Sequence, residues 1–480
     1  MNSSELQAAL SEMVAAQVGE VERVVGSWAR TRALGGERSL QELELQIREW
    51  ALRVGQKCFE RLVHGIAAGS PQDQEACPKC GGPVVSEGHR DAALHSSMGD
   101  VRFTRRYFVC AACKHGTCPL DADLGLDEKR NSPALQQMVS LAGSVGPFEK
   151  GSDLLREIGS IVISRHKVEE ITESVGERVE HWMNTRHQQA AVGLLRSQGP
   201  PAERLYVEAD GTTVPMRVEK IETGTAKEGH TAAPVGAAQT KRSSDQRTQG
   251  KVEYREVKIG AVFEATLDED GQPQAGTKTY TGTFGDADAC IRQVQAEAKA
   301  RGSDTAKEIV TLSDGGEWLW NRLPTAFPGK KVTQILDWYH VEERLSHLGN
   351  LTFGQGTQET KAWTKLVLDL LYEGKTGEVI SSMETLRPKS HEAQEFLRQS
   401  LGYFRTHEHR MNYGELRAQG YFIGSGVIES SCKHIVAARL KQAGMKWSPE
   451  HVPRMLSVRV CRASGWWEAF WKADTRRAAA

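Results

Sequence analysis

Leu205-Tyr206-Val207-Glu208-Ala209-Asp210-Gly211-Thr212-Thr213-Val214-Pro215 is an apolar run that delivers a carboxylate at its end and then meets a glycine. The pattern predicts a strand from Leu205 to Asp210, a tight turn at Gly211 and a second strand from Thr212 to Val218. Two later stretches deliver acids in a similar way. Glu308-Ile309-Val310-Thr311-Leu312-Ser313-Asp314-Gly315-Gly316 is a β-branched run ending in Asp-Gly-Gly, and Val427-Ile428-Glu429-Ser430-Ser431 opens a helix-like segment rich in Lys and Arg. Strand ends and first helical turns hold side chains rigidly, and carboxylate oxygens are the hard ligands that Mg²⁺ prefers. Three such acids converging imply metal-assisted chemistry on phosphate.

The chain has 480 residues, enough for several compact units. Lys plus Arg number 61 against 62 for Asp plus Glu, so nucleic-acid binding must come from local clusters of charge and not from a global excess. No window approaches eighteen uninterrupted apolar residues, and Met1-Asn2-Ser3-Ser4-Glu5 lacks the basic flank and apolar core of a leader. A soluble intracellular protein, without membrane association, is expected.

Of nine cysteines, Cys77, Cys80, Cys110 and Cys113 form two C-x-x-C pairs, and Cys58, Cys118, Cys290, Cys432 and Cys461 show no pattern. Strand-like alternation through Val101, Phe103 and Tyr107-Phe108-Val109 separates the pairs. Two C-x-x-C turns on a hairpin predict a zinc ribbon over 71–125, with one structural Zn²⁺ closed by four thiolates. His115 and Cys118 are nearby substitutes as ligands. Arg102, Arg105 and Arg106 on the intervening strand are candidates for DNA phosphates, though a short basic strand is as often a solvated face.

Ahead of the ribbon, residues 1–70 read as a helical region. Leu40, Leu43, Ile47, Trp50, Val54, Cys58 and Leu62 recur at helical spacing, a seam that could pair with a second copy or pack within its own domain. Residues 126–197 read as helices broken at Gly146-Pro147 and near Gly159. There Ser164 caps a helix opening on Arg165-His166-Lys167, the order of a helix-turn-helix that turns those three cations toward DNA.

After the Gly199-Pro200-Pro201 linker, 203–340 reads as the first part of a catalytic core. Glu256–Thr266 is the third strand, Asp286–Arg301 an amphipathic helix, Glu308–Asp314 the fourth strand and Lys331–Leu336 the fifth. The polar stretch from Glu219 to Lys251 reads as a mobile loop. Three strands, a helix, a strand, a helix and a strand is the order of an RNase H-like core. A helical interval over 341–420 interrupts it, with Trp363, Leu366, Leu368, Leu370 and Leu371 predicting an apolar core of its own. Residues 421–480 supply the last helix and a basic, Trp-rich C-terminus, suited to single strands by stacking, or to core packing.

Asp210-Gly211, Ser313-Asp314-Gly315-Gly316, Leu336-Asp337-Trp338-Tyr339-His340, Ile428-Glu429-Ser430-Ser431-Cys432-Lys433 and Gly444-Met445-Lys446-Trp447 together resemble the bacterial DDE transposases of the ISKra insertion-sequence type, distant relatives of the Mutator-like group. The resemblance spans most of the chain. It implies that Asp210, Asp314 and Glu429 hold two Mg²⁺ (or Mn²⁺) ions, in preference to Glu208, Asp286 or Asp337. It also implies that Asp337 and His340 form a supporting D-x-x-H pair, and that the helical interval is the insertion found in those enzymes.

The mechanism so implied is hydrolysis followed by attack of the freed 3′-OH on target DNA, with two ions about 3.5 to 4 Å apart. DNA-facing cations are expected at Arg105, Arg106, Arg165, His166, Lys167, Lys433, Arg439, Lys441 and Lys446. Element ends and target DNA are the expected partners, with a homodimer or larger assembly joining two ends. The alternatives are an RNase H-like nuclease without strand transfer, and a zinc-dependent DNA-binding regulator whose catalytic domain is inactive.

Overall fold

The computed structural model describes residues 39–69, 73–217 and 252–478, with scattered positions between 7 and 30. The predicted loop over 219–251 lies outside the described residues. Two compact units emerge, one of residues 1–175 with 467–480 and one of residues 176–466. The fold is mixed α/β.

The first unit begins with a 30-residue helix, α1 (Leu40–Gly69), of which only Val63 is fully buried. A hairpin of β1 (Val84–Ser96) and β2 (Gly99–Cys110) follows, with the short β3 (Gly116–Thr117) on its edge. Val101 and Phe103 point inward by the two-residue period of a strand and pack with Val63, Leu94 and Leu120 of the turn-long α2 (Pro119–Asp123). Then come α3 (Pro133–Gly143), α4 (Phe148–Glu157) and the first turns of α5 (Arg165–Ala191), whose residues from Gly176 on belong to the second unit. Ser132 caps α3, accepting from the Leu135 amide at 3.2 Å, with Pro133 in the first turn where no donor is needed. Gly151 lets α4 lie directly on α3, since a Cβ there would stand 3.2 Å from the Ala142 carbonyl. Ser164 Oγ accepts from the Lys167 amide at 3.3 Å and starts α5. The C-terminal α15 (Trp467–Ala478) groups with this unit.

The second unit is built on a five-stranded sheet ordered β6-β5-β4-β7-β8. Here β4 is Arg204–Arg217, β5 Val252–Leu267, β6 Pro273–Thr283, β7 Glu308–Ser313 and β8 Val332–Leu336. β5 runs antiparallel to β4 and β6, whereas β7 is parallel to β4 and β8 parallel to β7. Between β6 and β7 lies α6 (Ala287–Ala300), capped by Asp286, which accepts from the Ala289 amide at 2.7 Å. The short α7 (Glu317–Trp320) precedes β8.

Three expectations are corrected. There is no turn at Gly211: β4 runs unbroken through it, pairing Asp210 with Ile259, Gly211 with Lys258 and Thr212 with Val257. A glycine serves there for clearance and not for reversal, because the Glu256 side chain of β5 crosses at a point a Cβ would occupy. The predicted second strand is therefore the far half of the first, and the third strand before α6 is β6, a half-exposed edge of Thr, Lys and Tyr. The helical interval also has no core of its own. Its helices α8 (Trp338–Phe353), α9 (Gln358–Tyr372), α10 (Thr376–Glu384), α11 (His391–His407) and α12 (Tyr413–Ala418) share one core with the sheet.

That sharing follows from strand geometry. Leu205, Val207 and Ala209 face α6 on one side of β4, with Cys290, Val294 and Ala298. Tyr206 faces the opposite side, where Val341, Leu345, Leu371 and Phe404 of the helical interval cover it. Leu371 is fully buried there while Leu366 is 53% exposed. Tyr206 stacks on Phe263 with ring centroids 5.1 Å apart and meets Phe422 edge-on at 5.4 Å. Each such pair adds about 1 kcal/mol beyond area burial. After α12 the chain returns along the sheet and forms α13 (Gly426–Ser431), which continues through a π-helical turn, Cys432–Ala437, and a last turn, Ala438–Leu440. α14 (His451–Ala463) closes the unit.

Candidate functional sites

The parallel strands set two acids side by side. Glu208 pairs with Leu312 and Ser313 with Leu336, so continuing the register puts Asp314 and Asp337, each just past the end of its strand, beside Asp210 of β4. Asp210 and Asp314 are part-exposed, and Asp337 is completely buried. Burial pushes the Asp210 carboxyl up, the Gly211 amide at 2.7 Å pulls it down, and the Asp314 charge pushes it up again, leaving it above the usual carboxylate range. Asp314 Oδ1 accepts from the Gly316 amide at 3.0 Å, and Gly315, at φ +92°, makes the turn that allows this.

α13 carries Glu429 to this edge. The Cys432 thiol, one turn on, donates to Asp210 Oδ2 at 3.4 Å, and burial raises its pKa far above the ordinary thiol value. Glu429 lies 3.6 Å from the Lys433 ammonium on its own helix. The three carboxylates do not close to within 4.8 Å of one another.

Asp337 caps α8. Its Oδ2 accepts from the His340 amide at 3.1 Å and meets His340 Nδ1 at 2.5 Å, and its Oδ1 accepts from the Ser425 amide at 2.5 Å. Burial pushes its carboxyl up, but the His340 and Ser425 hydrogen bonds outweigh this and hold it below the usual range. The same hydrogen bond to Asp337 leads the rise of the His340 pKa to about 9, and the charge of Asp314 adds to it. An imidazolium therefore stands beside the acids at neutral pH.

The four cysteines converge. Sγ–Sγ distances are 3.7 Å for Cys77–Cys113, 3.5 Å for Cys80–Cys110 and 3.4 Å for Cys80–Cys113. Thiolates about 2.3 Å from one tetrahedral ion stand roughly 3.8 Å apart, so little movement is needed to receive one. Both turns are built alike: the residue after the second cysteine is left-handed, Gly81 at φ +70° and Lys114 at φ +59°, and donates to the first cysteine's carbonyl. The Cys113 amide leads the drop of the Cys110 thiol to about 6. The Gly82 amide lowers the Cys80 thiol, but the hydrogen bonds with Cys113 and Cys110, burial and Cys77 together outweigh it and hold the thiol up to about 12. Neither His115 nor Cys118 joins the group.

Two predicted DNA contacts are corrected. Arg105 is 9% exposed, on the inward face of β2, and pairs with Asp121 at 3.2 Å while contacting the Cys118 thiol. Arg439 is 1% exposed, packed on the Trp447 ring and donating to Met445 Sδ at 3.5 Å. Neither guanidinium reaches a surface. Arg106 pairs with Asp73, and Lys167 with Glu170 at 3.4 Å. Arg165, His166, Lys433, Lys441 and Lys446 are exposed, with Lys441 donating to Thr212 Oγ1 beside Gly211 at 2.5 Å. Of the C-terminal tryptophans, Trp447 and Trp471 are buried, so these two serve packing and not stacking on bases.

Sequence reasoning passed over two participants. Glu208, weighed only as a rival ligand, is wholly buried, and burial raises its carboxyl to about 8. Its Oε2 accepts from the Ile428 amide at 2.9 Å. An acid in an apolar alternation, on the same face as Asp210, was the available signal. Tyr403 of α11 donates to the Asp314 carbonyl at 3.1 Å, a contact with no local signature.

Among solved structures, the Drosophila P element transposase strand transfer complex aligns over 73% of this chain and 81% of that chain, at 11% identity and a TM-score of 0.23. No curated protein matches. Residues 37–233 match the model of an uncharacterised protein family, UPF0236.

Proposed function

We propose that the chain is a DDE transposase that binds the ends of an insertion sequence and cuts and joins DNA strands. The observation that carries this reading is the placement of Asp210 and Asp314 level on adjoining parallel strands, with Glu429 delivered to them by a helix whose Cys432 touches Asp210. The strand order, antiparallel through β6-β5-β4 and parallel through β4-β7-β8, supports an RNase H-like core.

The donor set fits a hard divalent cation: oxygen ligands only, and a pair of acids in which one charge disfavours the other until a cation offsets both. Mg²⁺ held by Asp210, Asp314 and Glu429 would supply an activated oxygen nucleophile and offset charge on the leaving oxygen. The protein's own groups do the rest. Asp337 holds His340 charged through Nδ1 and so aims the ring's other edge, Nε2, where a phosphate oxygen would receive a charge-assisted hydrogen bond. The exposed Lys433, in the π-helical turn that continues α13, and the exposed Lys441 and Lys446 after it supply cations for the DNA backbone. In the first unit Cys77, Cys80, Cys110 and Cys113 hold one structural Zn²⁺, and the exposed Arg165 and His166 at the start of α5 meet DNA.

The test is purified full-length protein with labelled element-end DNA and a target plasmid, in Mg²⁺ or EDTA, beside Glu429→Gln. Joined product from the unaltered protein in Mg²⁺ alone is expected, with loss of at least a hundredfold in the variant, the scale seen when charge stabilisation at a reacting centre is removed. Cleavage without joining would make it a nuclease, and binding without either a regulator.

A further inference from the structure

The third acid is a long way from the other two along the chain. Between Leu336, where the last strand ends, and Tyr421, where the chain returns to the sheet, stand five helices. Covalent connection therefore does little to fix where Glu429 lies. The first amides of its helix also have no partner within the helix, and Ser425, at the cap position, makes no side-chain cap. They are nonetheless met from other elements.

Glu208 of β4 takes the Ile428 amide at 2.9 Å, and Asp337, following β8, takes the Ser425 amide at 2.5 Å. Just before them, the Phe422 amide donates to Tyr206 Oη at 3.1 Å and the Ile423 carbonyl accepts from the Trp338 amide at 2.9 Å. Both carboxylic groups are completely buried, so these acceptors are shielded from competing water. Ile428 immediately precedes Glu429, and Glu208 lies two residues before Asp210 on the same face of one strand. Two of the three acids, Asp210 and Glu429, are thus within two residues of the ends of a single hydrogen bond.

We propose that Glu208 and Asp337 are positioning residues that clamp the start of α13 through the Ile428 and Ser425 amides, so fixing Glu429 against Asp210 and Asp314. This rests on the transposase reading above. Glu208 acts by accepting a hydrogen bond and does not touch substrate. A carboxamide can replace it and an aliphatic side chain cannot. Asp337 also caps α8 and holds His340, so Glu208 is the cleaner place to test the clamp.

The experiment compares full-length unaltered protein, Glu208→Gln, Glu208→Leu and Glu429→Gln, with zinc content and DNA binding as controls. Three quantities are read: Mn²⁺ binding by electron paramagnetic resonance, strand joining across a Mg²⁺ titration, and amide exchange at residues 425–429. Glu208→Leu is expected to weaken Mn²⁺ binding and joining on the order of ten- to a hundredfold, the range for residues that orient metal ligands, and to speed exchange at Ile428. Glu208→Gln should stay within about threefold of the unaltered protein, since it keeps the acceptor.

A folded Glu208→Leu with unaltered Mn²⁺ affinity and joining would overturn the clamp, as would a Gln variant as impaired as the Leu variant. Should Glu208→Leu not fold, exchange in the unaltered protein decides: Ile428 and Ser425 amides protected as well as those of β4 support the clamp, and exchange at the rate of an exposed loop overturns it. Failure of the underlying reading looks different. In that case Glu429→Gln matches the unaltered protein in Mn²⁺ binding and joining, while the two amides stay protected.

Discussion

His187 shows what a buried ionisable side chain does when no charge answers it. It is 7% exposed, near the C-terminal end of α5, and neither ring nitrogen has a hydrogen-bond partner among the described residues. Burial, with the charge of Arg186 adding to it, pulls its pKa down to about 4 from the ordinary 6.5. The unfolded chain therefore takes up a proton between pH 6.5 and 4 that the folded chain refuses, so the folded state loses stability as pH falls through that window. His187→Gln should flatten the fall, read as urea midpoints at pH 8, 5.5 and 4. A midpoint that falls equally in both proteins would show that His187 is not responsible. Glu208, Asp337 and His340 follow the same logic in the opposite company. Each is buried or half-buried with a named partner; the partner sets the direction of the shift for Asp337 and His340, whereas burial outweighs the Ile428 amide and raises Glu208.

At the scale of the element, the same residue type plays opposite parts according to face. Arg105 and Arg165 both read as DNA contacts in the sequence. Arg105 falls on the inward side of β2 and becomes a brace to Asp121, whereas Arg165 opens α5 in solvent. Arg105→Met should lower the stability of the first unit by about 3 kcal/mol, because it leaves Asp121 half-buried without its cation. It should leave the salt dependence of DNA binding unchanged. Arg165→Ala should do the reverse, leaving stability alone and lowering the salt slope by about 1. Thermal melts and binding at two salt concentrations separate the two. The strands carry a similar lesson. β4 was legible as a strand because its alternation is strong, but its length was not, since a glycine in a strand that a neighbour's side chain crosses looks in sequence like a glycine in a turn. β6 was missed because an edge strand of Thr, Lys and Tyr lacks the apolar face that marks the others.

For the whole molecule, stability is divided between a metal-sized cluster and a sheet core. The first unit's sheet is three strands, one of them two residues long, with a small apolar cluster around Val63, Leu94, Val101, Phe103 and Leu120. A chelator, or Cys77→Ser, should therefore unfold the hairpin region and abolish binding of element ends. The sheet of β4 to β8 has extensive cores on both faces and should keep its amide protection. End binding that survives complete loss of zinc would contradict this. Among the described residues, no helix is long and apolar enough to cross a membrane.

By itself the sequence determined the local events: which segments alternate at two and which recur at three and four, where Ser164 and Asp286 start helices, and that two C-x-x-C pairs sit on a hairpin. These are legible because their causes lie within a few residues of one another. It also marked Asp210 and Asp314, since a carboxylate closing an apolar run is a local anomaly, whereas Glu429 was singled out by the family resemblance. Tertiary structure alone decided what faces what. Whether Gly211 turned or continued depended on Glu256 of another strand, and whether the helical interval kept a core of its own depended on the bare face of β4. Arg105 and Arg439 were buried by their neighbours, not by their own sequence. Glu208 took the Ile428 amide, and Asp337 the Ser425 amide, from a segment more than eighty residues away. Hydrogen bonds and burial across that separation leave no periodicity in the chain, because they are properties of the packed sheet and not of any stretch of it.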